Sequence, residues 1–239
     1  MRRALVTGGS GAIGAAICRR LAQDGVHVVV HAHQHATQGE IVVRSIREAG
    51  GSAAVVAFDI TDSQASAAAI ADLLASGPIQ VLIHVAGIHI DAPMAGMAAG
   101  QWRRVIDVSL NGFYNVAQPL LLPMIGTRWG RIVAISSVSA IMGNRGQTNY
   151  AAAKAGLIGA ARALSLECAS RGVTVNVVAP GIIDTPATSG IFDRAKIEAL
   201  VPMRRAGRPE EVAELVAFVA SDRAAYLTGQ TISINGGMA

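Results

Sequence analysis

The sequence predicts a single α/β domain, residues 1–239, with three layers: a doubly wound parallel sheet of about seven strands and helices on both of its faces. Short apolar runs alternate with longer segments of helical period. No linker, low-complexity tract or repeat interrupts the 239 residues. Hydrophobic residues make up 51% and charged residues 15% of the chain, which is enough apolar material to cover both faces of a sheet.

The order of the predicted elements explains why the sheet should be parallel. The expected strands are 4–6, 26–30, 53–58, 80–85, 130–136, 173–178 and 230–234. The expected helices are 15–22, 38–49, 63–75, 101–124 with a kink or an end near its two prolines, 149–171, and one that begins at 208–211. Alternating β and α units of this length give parallel strands, and ligands of such sheets bind beyond the carboxyl ends of the strands.

Charge and hydropathy exclude several classes of function. The net charge of +4 comes without a dense Lys/Arg block, so nucleic acid is not an expected partner, whereas an anionic cofactor or an acidic protein is. The densest apolar run, 119–125, is far shorter than the ~20 residues of a spanning helix, and no signal peptide is recognisable, so we expect a cytoplasmic protein without a membrane partner. Cys18 and Cys168 fit small buried residues better than a disulfide or a metal pair, and no metal site is expected.

A glycine-rich turn, Thr7-Gly-Gly-Ser-Gly-Ala-Ile-Gly14, lies between the first strand and the first helix. Such a turn lets the backbone approach a pyrophosphate, and the N–H groups at the helix start favour its negative charge. The alternative is a tight connection without a ligand. The candidate cofactor-binding residues of this turn are Gly8, Ser10, Gly11, Ile13 and Gly14.

The end of the second strand bears on the choice of cofactor, because an acidic residue there would bind the ribose of NAD and repel a 2′-phosphate. The residues present are His31, His33, Gln34 and His35, which favours NADPH over NADH; solvated loop residues are the alternative. Three further candidates follow the next strands and should line the cofactor cleft: Asp59, Ala86 and Gly87. Asp59 could equally cap the helix that follows it.

Tyr150 and Lys154 share one face of a predicted helix, about one turn apart. A nearby ammonium favours the phenolate and lowers the pKa of a tyrosine, which would let Tyr150 act as a general acid or base. By itself this spacing is common in helices.

Together these motifs resemble the classical short-chain dehydrogenase/reductases, and among them the 3-oxoacyl-[acyl-carrier-protein] reductases. The resemblance rests on the glycine-rich turn, on Ser137 thirteen residues before Tyr150 and Lys154 four after it, on Pro180-Gly181 with Thr185, and on 227–237. It covers essentially the whole chain. It implies a Rossmann fold, NADPH, and a homotetramer built through two long helices and the C-terminal strand.

The resemblance also implies a role for each motif. Ser137 would hold the substrate carbonyl, Tyr150 would protonate the developing alkoxide while NADPH donates hydride to the same carbon, and Lys154 would bind the nicotinamide ribose. Preorganised donors at the oxygen that gains charge would stabilise the transition state. Further cofactor contacts implied by the resemblance are Asp59 and Ile60 at the adenine and, at the nicotinamide, the 180–185 turn with Pro180, Gly181, Ile183 and Thr185.

Three motifs depart from the family pattern. The middle glycine of the first motif is Ala12, and Gly11 stands where NADPH-binding members often have an arginine. His84-Val85 replaces a pair of asparagines, which we expect to weaken a hydrogen-bond brace of the central sheet. Ser109 aligns with the asparagine of the catalytic tetrad, whose backbone carbonyl holds a water on the proton path of the lysine, so it is a catalytic candidate if the local helix bend is kept.

The sequence leads to one main hypothesis and two alternatives. The main one is NADPH-dependent reduction of a 3-oxoacyl thioester on acyl carrier protein, in fatty-acid synthesis or a related polyketide or polyene pathway. The alternatives are a reductase of a coenzyme A thioester or another small ketone or alcohol, and a weakly active or non-catalytic subunit of a heteromeric reductase. Arg128 and Arg171 match positions at which the family docks its carrier beside the active-site entrance, and residues 186–205 should form a substrate lid.

Overall fold

A computed structural model describes residues 1–190 and 192–239, and it shows the predicted seven-stranded parallel sheet in the order β3-β2-β1-β4-β5-β6-β7. All six strand pairs are parallel. The strands are β1 Arg3–Thr7, β2 His27–Ala32, β3 Ala53–Ala57, β4 Val81–His84, β5 Gly130–Ile135, β6 Val173–Pro180 and β7 Thr231–Ile234.

The strand order places the cofactor cleft. From β1 the chain moves outward through β2 and β3, returns to β4 on the other side of β1, and continues outward to β7. The loops after β1 and β4 therefore separate to opposite faces, which opens a crevice at the carboxyl ends of these two strands. Their central residues are fully buried, as a sheet covered on both faces requires.

Helices cover both faces, so the three-layer prediction is confirmed. The helices are α1 Ala12–Gln23, α2 Ala36–Glu48, α3 Ser63–Ala75, α4 Ala99–Ile106, α5 Gly112–Gly126, α6 Ser139–Met142, α7 Thr148–Cys168, α8 Arg194–Leu200 and α9 Pro209–Val219. One apolar core joins α1, α2 and α9 to the sheet, and a second joins α3, α5 and α7 to its other face. Cys18 and Cys168 are both buried, one in each core.

The long helix of the centre deviates from α geometry at Ser109, where the family resemblance implied a bend, and not at its prolines. We expected a kink or an end near Pro119 or Pro123, but α5 continues through both to Gly126. The distortion is a π-helical segment, Asp107–Asn111, between α4 and α5. A π segment leaves backbone groups offset from the regular ladder, and such segments are frequent at functional sites.

Residues of the predicted lid have mixed structure. Turns occupy residues 186–190, and α8 follows at Arg194–Leu200. Ile191, which belongs to the predicted lid, lies outside the described residues. None of the helices in the described ranges has both the length and the apolar character needed to cross a bilayer.

Candidate active site

The predicted catalytic residues meet at the carboxyl edge of the sheet. Ser137 follows β5 by two residues, and Tyr150 and Lys154 lie in the first turns of α7. Between them, Gly143 and Gly146 have φ values of 75° and 83°, which glycine adopts without strain, so the chain can turn sharply from α6 into α7. The Ser136 hydroxyl donates to the backbone carbonyl of Lys154 at 2.8 Å, which ties the end of β5 to α7.

The phenol of Tyr150 is kept protonated by its surroundings. Burial raises its pKa, the hydroxyl of Ser137 opposes this, and the charge of Asp91 adds to the rise. The net shift is therefore upward, whereas we expected Lys154 to bring the pKa of Tyr150 down: the ammonium lies 5.7 Å from the ring centroid, and desolvation is the largest influence on the phenol. At neutral pH Tyr150 has a proton to give.

Lys154 is almost fully buried, at 3% exposure. Its Nζ donates to the carbonyl oxygen of Ile135 at 2.8 Å. Burial lowers the pKa of the ammonium to about 8, because the charged form has lost most of its water. A cation is thus placed one helical turn from the phenol, at the foot of the site.

The glycine-rich turn folds closely on itself and on β4. Gly8 has φ 64°, and a Cβ there would lie 3.0 Å from the backbone of Ala86. A Cβ on Gly14 would lie 2.2 Å from the carbonyl oxygen of Gly8, whereas Ala12 begins α1 without conflict. Gly11 is the exposed N-cap and offers no side chain to the free N–H groups of the helix. This cradle fits the pyrophosphate of a dinucleotide.

His31 requires a correction, because it is neither a solvated loop residue nor a cation for a 2′-phosphate. Strand β2 extends to Ala32, so the imidazole of His31 is buried at 2% exposure. Its Nδ1 accepts from the Gly8 N–H at 3.2 Å, and its Nε2 bonds to the Phe58 carbonyl at 3.0 Å. Burial lowers its pKa to about 4. A neutral His31 therefore supports the glycine-rich turn from below.

His33 and Asp59 are the polar side chains that reach the region expected for the adenosine. His33 is exposed, and its Nε2 lies 3.5 Å from Asp59 Oδ2. Asp59 does not cap α3, which was the alternative considered: Asp62 does, accepting from the N–H groups of Gln64 and Ala65. Asp59 instead accepts from the N–H and hydroxyl of Thr61.

Ile60, expected to contact the adenine, has its side chain in the core. It is 5% exposed, and its Cδ1 lies 2.6 Å from where a Cβ on Gly112 would stand. Its carbonyl accepts from Asn115 Nδ2 at 2.8 Å. Any contact with an adenine would have to use the backbone.

His84 also differs from expectation, since it strengthens the central brace instead of weakening it. This fully buried imidazole bonds through Nδ1 to the hydroxyl of Thr7 at 3.0 Å and through Nε2 to the carbonyl of Ser109 at 3.0 Å. Its ring also meets Phe113 edge to face. The bend that Ser109 was expected to need is present, because Ser109 lies within the π segment.

The turn after β6 reaches the same edge of the sheet. Pro180 ends β6, and a Cβ on Gly181 would lie 2.8 Å from the Asn235 Cα, so only glycine fits there. Ile183 is buried at 4% exposure. The N–H and hydroxyl of Thr185 both contact the Thr188 hydroxyl, at 3.1 Å each.

A family model described as enoyl-(acyl carrier protein) reductase matches residues 8–239. The chain belongs to the short-chain dehydrogenase/reductase family. Ser137, Tyr150 and Lys154, which we predicted as the family's serine, tyrosine and lysine, lie within the matched range.

Curated relatives of the family align with nearly the whole chain. The 3-oxoacyl-[acyl-carrier-protein] reductase FabG of Aggregatibacter actinomycetemcomitans is 45% identical over 98% of this chain and 98% of its own. FabG of Chlamydia muridarum is 41% identical over 100% of this chain and 97% of its own. Acetoacetyl-CoA reductase of Allochromatium vinosum is 41% identical over 99% of this chain and 98% of its own.

Arg128 and Arg171, the candidate docking residues, lie far from the candidate active site of the same subunit. Arg128 precedes β5, Arg171 precedes β6, and the two backbones are neighbours, since a Cβ on Gly172 would lie 2.2 Å from the Arg128 carbonyl. Both are exposed at the amino ends of the strands. Ser137 lies beyond the carboxyl end of β5, so the strand separates them by roughly 20 Å.

Sequence reasoning missed the loop that closes the site from the β4 side. The ring of His89 meets that of Tyr150 edge to face, with centroids 6.4 Å apart. Asn149 Nδ2 donates to the Ile90 carbonyl at 3.0 Å, and Gln147 Nε2 donates to Asp91 at 3.0 Å. These residues follow no sequence period, and only the packing of the 88–93 loop against α7 brings them to the site.

Proposed function

We propose that this protein reduces the ketone of a 3-oxoacyl thioester on acyl carrier protein to a hydroxyl group, with NADPH as reductant, in fatty-acid synthesis or a related polyketide or polyene pathway. The observation that carries the proposal is the assembly of Ser137, Tyr150 and Lys154 beside the glycine-rich turn. The likeness to two FabG proteins over nearly their full lengths supports the substrate class.

The residues have properties that suit carbonyl reduction. The hydroxyls of Ser137 and Tyr150 face each other, so one carbonyl oxygen can accept from both. Tyr150, whose pKa is raised, holds its proton until negative charge builds on that oxygen. Lys154 supplies positive charge behind the phenol and stabilises the phenolate that remains. A bound nicotinamide would supply the hydride.

This arrangement favours a ketone over the carbon–carbon double bond that the family model's description suggests. Reduction of a ketone places charge on one oxygen next to the attacked carbon, which is where two hydroxyl donors are useful. His84 and Ser109 differ from the residues that the family has at these positions, which is why we considered a non-catalytic subunit. An intact serine, tyrosine and lysine argue against it, because packing alone requires none of these three polar groups.

NADPH is the cofactor we propose, since no acidic side chain follows β2 directly and the exposed His33 lies just beyond the end of this strand. His33→Asp places a carboxylate there. We expect it to raise the ratio of kcat/KM for NADH to that for NADPH at least tenfold, with His35→Asp as the neighbouring control. An unchanged ratio in His33→Asp would remove this residue from cofactor selection.

Carrier docking on Arg128 and Arg171 requires an oligomer. Because these side chains lie at the amino edge of the sheet, a carrier bound to them would present its acyl chain to the site of another subunit of the proposed tetramer. Replacing both by glutamate should raise KM for a carrier-bound substrate and leave a small soluble ketoester unaffected. Equal loss on both substrates would contradict docking. The proposal includes a cytoplasmic location, where a water-soluble carrier and cofactor meet the enzyme.

The decisive measurement is oxidation of NADPH, followed at its nicotinamide absorbance, with acetoacetyl groups on acyl carrier protein and on coenzyme A in parallel. We expect a higher kcat/KM for the carrier-bound substrate. Preference for coenzyme A would favour the second candidate, which the acetoacetyl-CoA reductase relative supports. No turnover with either would favour the non-catalytic subunit.

A further inference from the structure

Ser109 carries a buried hydroxyl for which the fold supplies no partner. The residue is 0% exposed, and among the described residues its Oγ has no hydrogen-bond partner. Leaving such a group unpaired is unfavourable, so a buried orphan near a functional side chain calls for an explanation. The nearest functional side chain is Lys154.

The position of Gly87 shows that the two groups face the same space. A Cβ built on Gly87 would lie 2.8 Å from Lys154 Nζ and 3.3 Å from Ser109 Oγ. Only a glycine keeps this space open. The Lys154 ammonium has three N–H donors, and one goes to Ile135. A hydroxyl oxygen is a suitable acceptor for another.

His84 determines which group of Ser109 is free to face the lysine. The backbone carbonyl of Ser109 can only accept, so the ring proton of His84 sits on Nε2 and is donated to it. The neutral ring then accepts at Nδ1 from the Thr7 hydroxyl, whose oxygen in turn accepts from the Ala86 N–H at 3.2 Å. The carbonyl of the π segment is thus engaged, and the hydroxyl remains.

We propose that the hydroxyl of Ser109 accepts a hydrogen bond from one water molecule that the Lys154 ammonium also binds, and that His84 is the positioning residue that fixes the π segment for this contact. The contact helps to keep Lys154 cationic although it is buried. The resemblance implies that the backbone carbonyl at this position holds a water beside the lysine; here His84 bonds to that carbonyl, and the hydroxyl adds an acceptor at the same place. Only the catalytic consequence rests on the proposed function.

The groups that face Lys154 are few, which simplifies a titration. Tyr150 approaches from the same helix, and His84 approaches from β4. His84 stays neutral above acidic pH, because burial and the charge of Lys154 lower its pKa to about 3. Tyr150 stays neutral across the titration of the lysine, because burial raises its pKa. Among Lys154, His84 and Tyr150, the charge that changes between pH 6 and 10 is therefore that of Lys154.

The sequence makes a direct test possible, since Lys154 and Lys196 are its only lysines. Protein labelled with carbon-13 at lysine Cε gives two side-chain signals, and Lys196, at the exposed end of the molecule on α8, is an internal control. We expect Ser109→Ala to lower the pKa of Lys154 by about one unit, tenfold in proton affinity, because the cation loses an acceptor. Lys196 should not move.

The His84 variants test the second half of the proposal. His84→Ala frees the π segment and should lower the pKa of Lys154 as Ser109→Ala does. His84→Gln places an amide N–H near the position of Nε2 and should restore most of the wild-type value. Thr174→Val removes another buried, unpartnered hydroxyl away from the site and should leave Lys154 unchanged.

If the pKa of Lys154 is unchanged in Ser109→Ala, the proposal is overturned. If it is unchanged in His84→Ala, His84 does not position the π segment for this contact. If Ser109→Ala lowers the melting temperature but leaves the pKa of Lys154 unchanged, the hydroxyl only stabilises the fold, and the proposal is also overturned. These results do not depend on any substrate. If wild-type protein turns over no thioester, the proposed function fails while the titration result still stands. If it does turn over, the alkaline limb of its kcat profile should move to lower pH in Ser109→Ala.

Discussion

At the scale of single residues, the proton on Tyr150 decides what the site can do at neutral pH. Its raised pKa makes it a donor, so removal of the hydroxyl should remove the acid without disturbing the fold. We expect Tyr150→Phe to lower kcat by about 10²- to 10⁴-fold, the usual contribution of general acid catalysis. Binding of NADPH, measured by fluorescence, should be almost unchanged.

Tyr226→Phe is the matched control, because this tyrosine is fully exposed and remote from the site. It should retain wild-type kcat. Turnover that persists in Tyr150→Phe would contradict the role assigned to the phenol, whatever the behaviour of the control.

Residue spacing was enough to find Tyr150 and Lys154, because the helical period alone places them on one face. It could not give the sign of the pKa shift of Tyr150. That sign depends on how much water the phenol loses, and burial is set by elements distant in sequence. For the same reason the sequence did not indicate that His89 contacts Tyr150, because that contact comes from the packing of a loop.

At the scale of elements, two buried histidines join the glycine-rich turn to its surroundings. His31 on β2 accepts from Gly8, and His84 on β4 accepts from Thr7. Each needs to be neutral to accept at Nδ1. Protonation would place a desolvated charge in the sheet and break the contact with the turn.

Their pKa values predict the pH dependence of stability. Both are depressed in the fold, to about 4 for His31 and about 3 for His84, against a model value of 6.5. Below pH 6.5 the unfolded chain therefore binds protons that the folded chain does not, so stability is complete above pH 6.5 and is lost as pH falls. Between pH 7 and 4.5 each histidine should remove about 2–3 kcal/mol of unfolding free energy.

Urea unfolding at both pH values tests this prediction. His84→Gln should reduce the loss of stability between pH 7 and 4.5 by about 2–3 kcal/mol relative to wild type. His35→Gln, an exposed histidine before α2, should leave the loss unchanged. If all three proteins lose the same free energy, His84 is not a cause of the loss.

The hydrophobic period and the composition predicted the helices and strands. Small errors in where these elements end gave the wrong environment for particular residues. We predicted that β2 ends at Val30, which placed His31 in a loop; the strand continues to Ala32, so His31 lies in the core. The π segment was not predictable from Pro119 or Pro123, because α5 accommodates both and the distortion arises where Ser109 meets β4. Hydrogen bonds between distant strands decide such details.

At the scale of the whole molecule, the exposed apolar residues of α5 and α7 indicate how subunits would associate. Leu122 on α5 is 80% exposed and Leu166 on α7 is 84% exposed, and these are the long helices through which the resemblance implies a tetramer. Such side chains gain free energy when covered. A tetramer would also bring the edge that carries Arg128 and Arg171 toward other subunits' sites.

Light scattering after gel filtration tests the association. Wild-type protein should have four times the 24.5 kDa mass of the chain, and Leu122→Arg together with Leu166→Arg should give a smaller species, because burying two added charges is costly. Ile41→Arg, a half-exposed position on α2 away from these helices, should keep the wild-type mass. If the double variant elutes with the wild-type mass, these faces are not the interface, and carrier docking at Arg128 and Arg171 loses its route to a second active site.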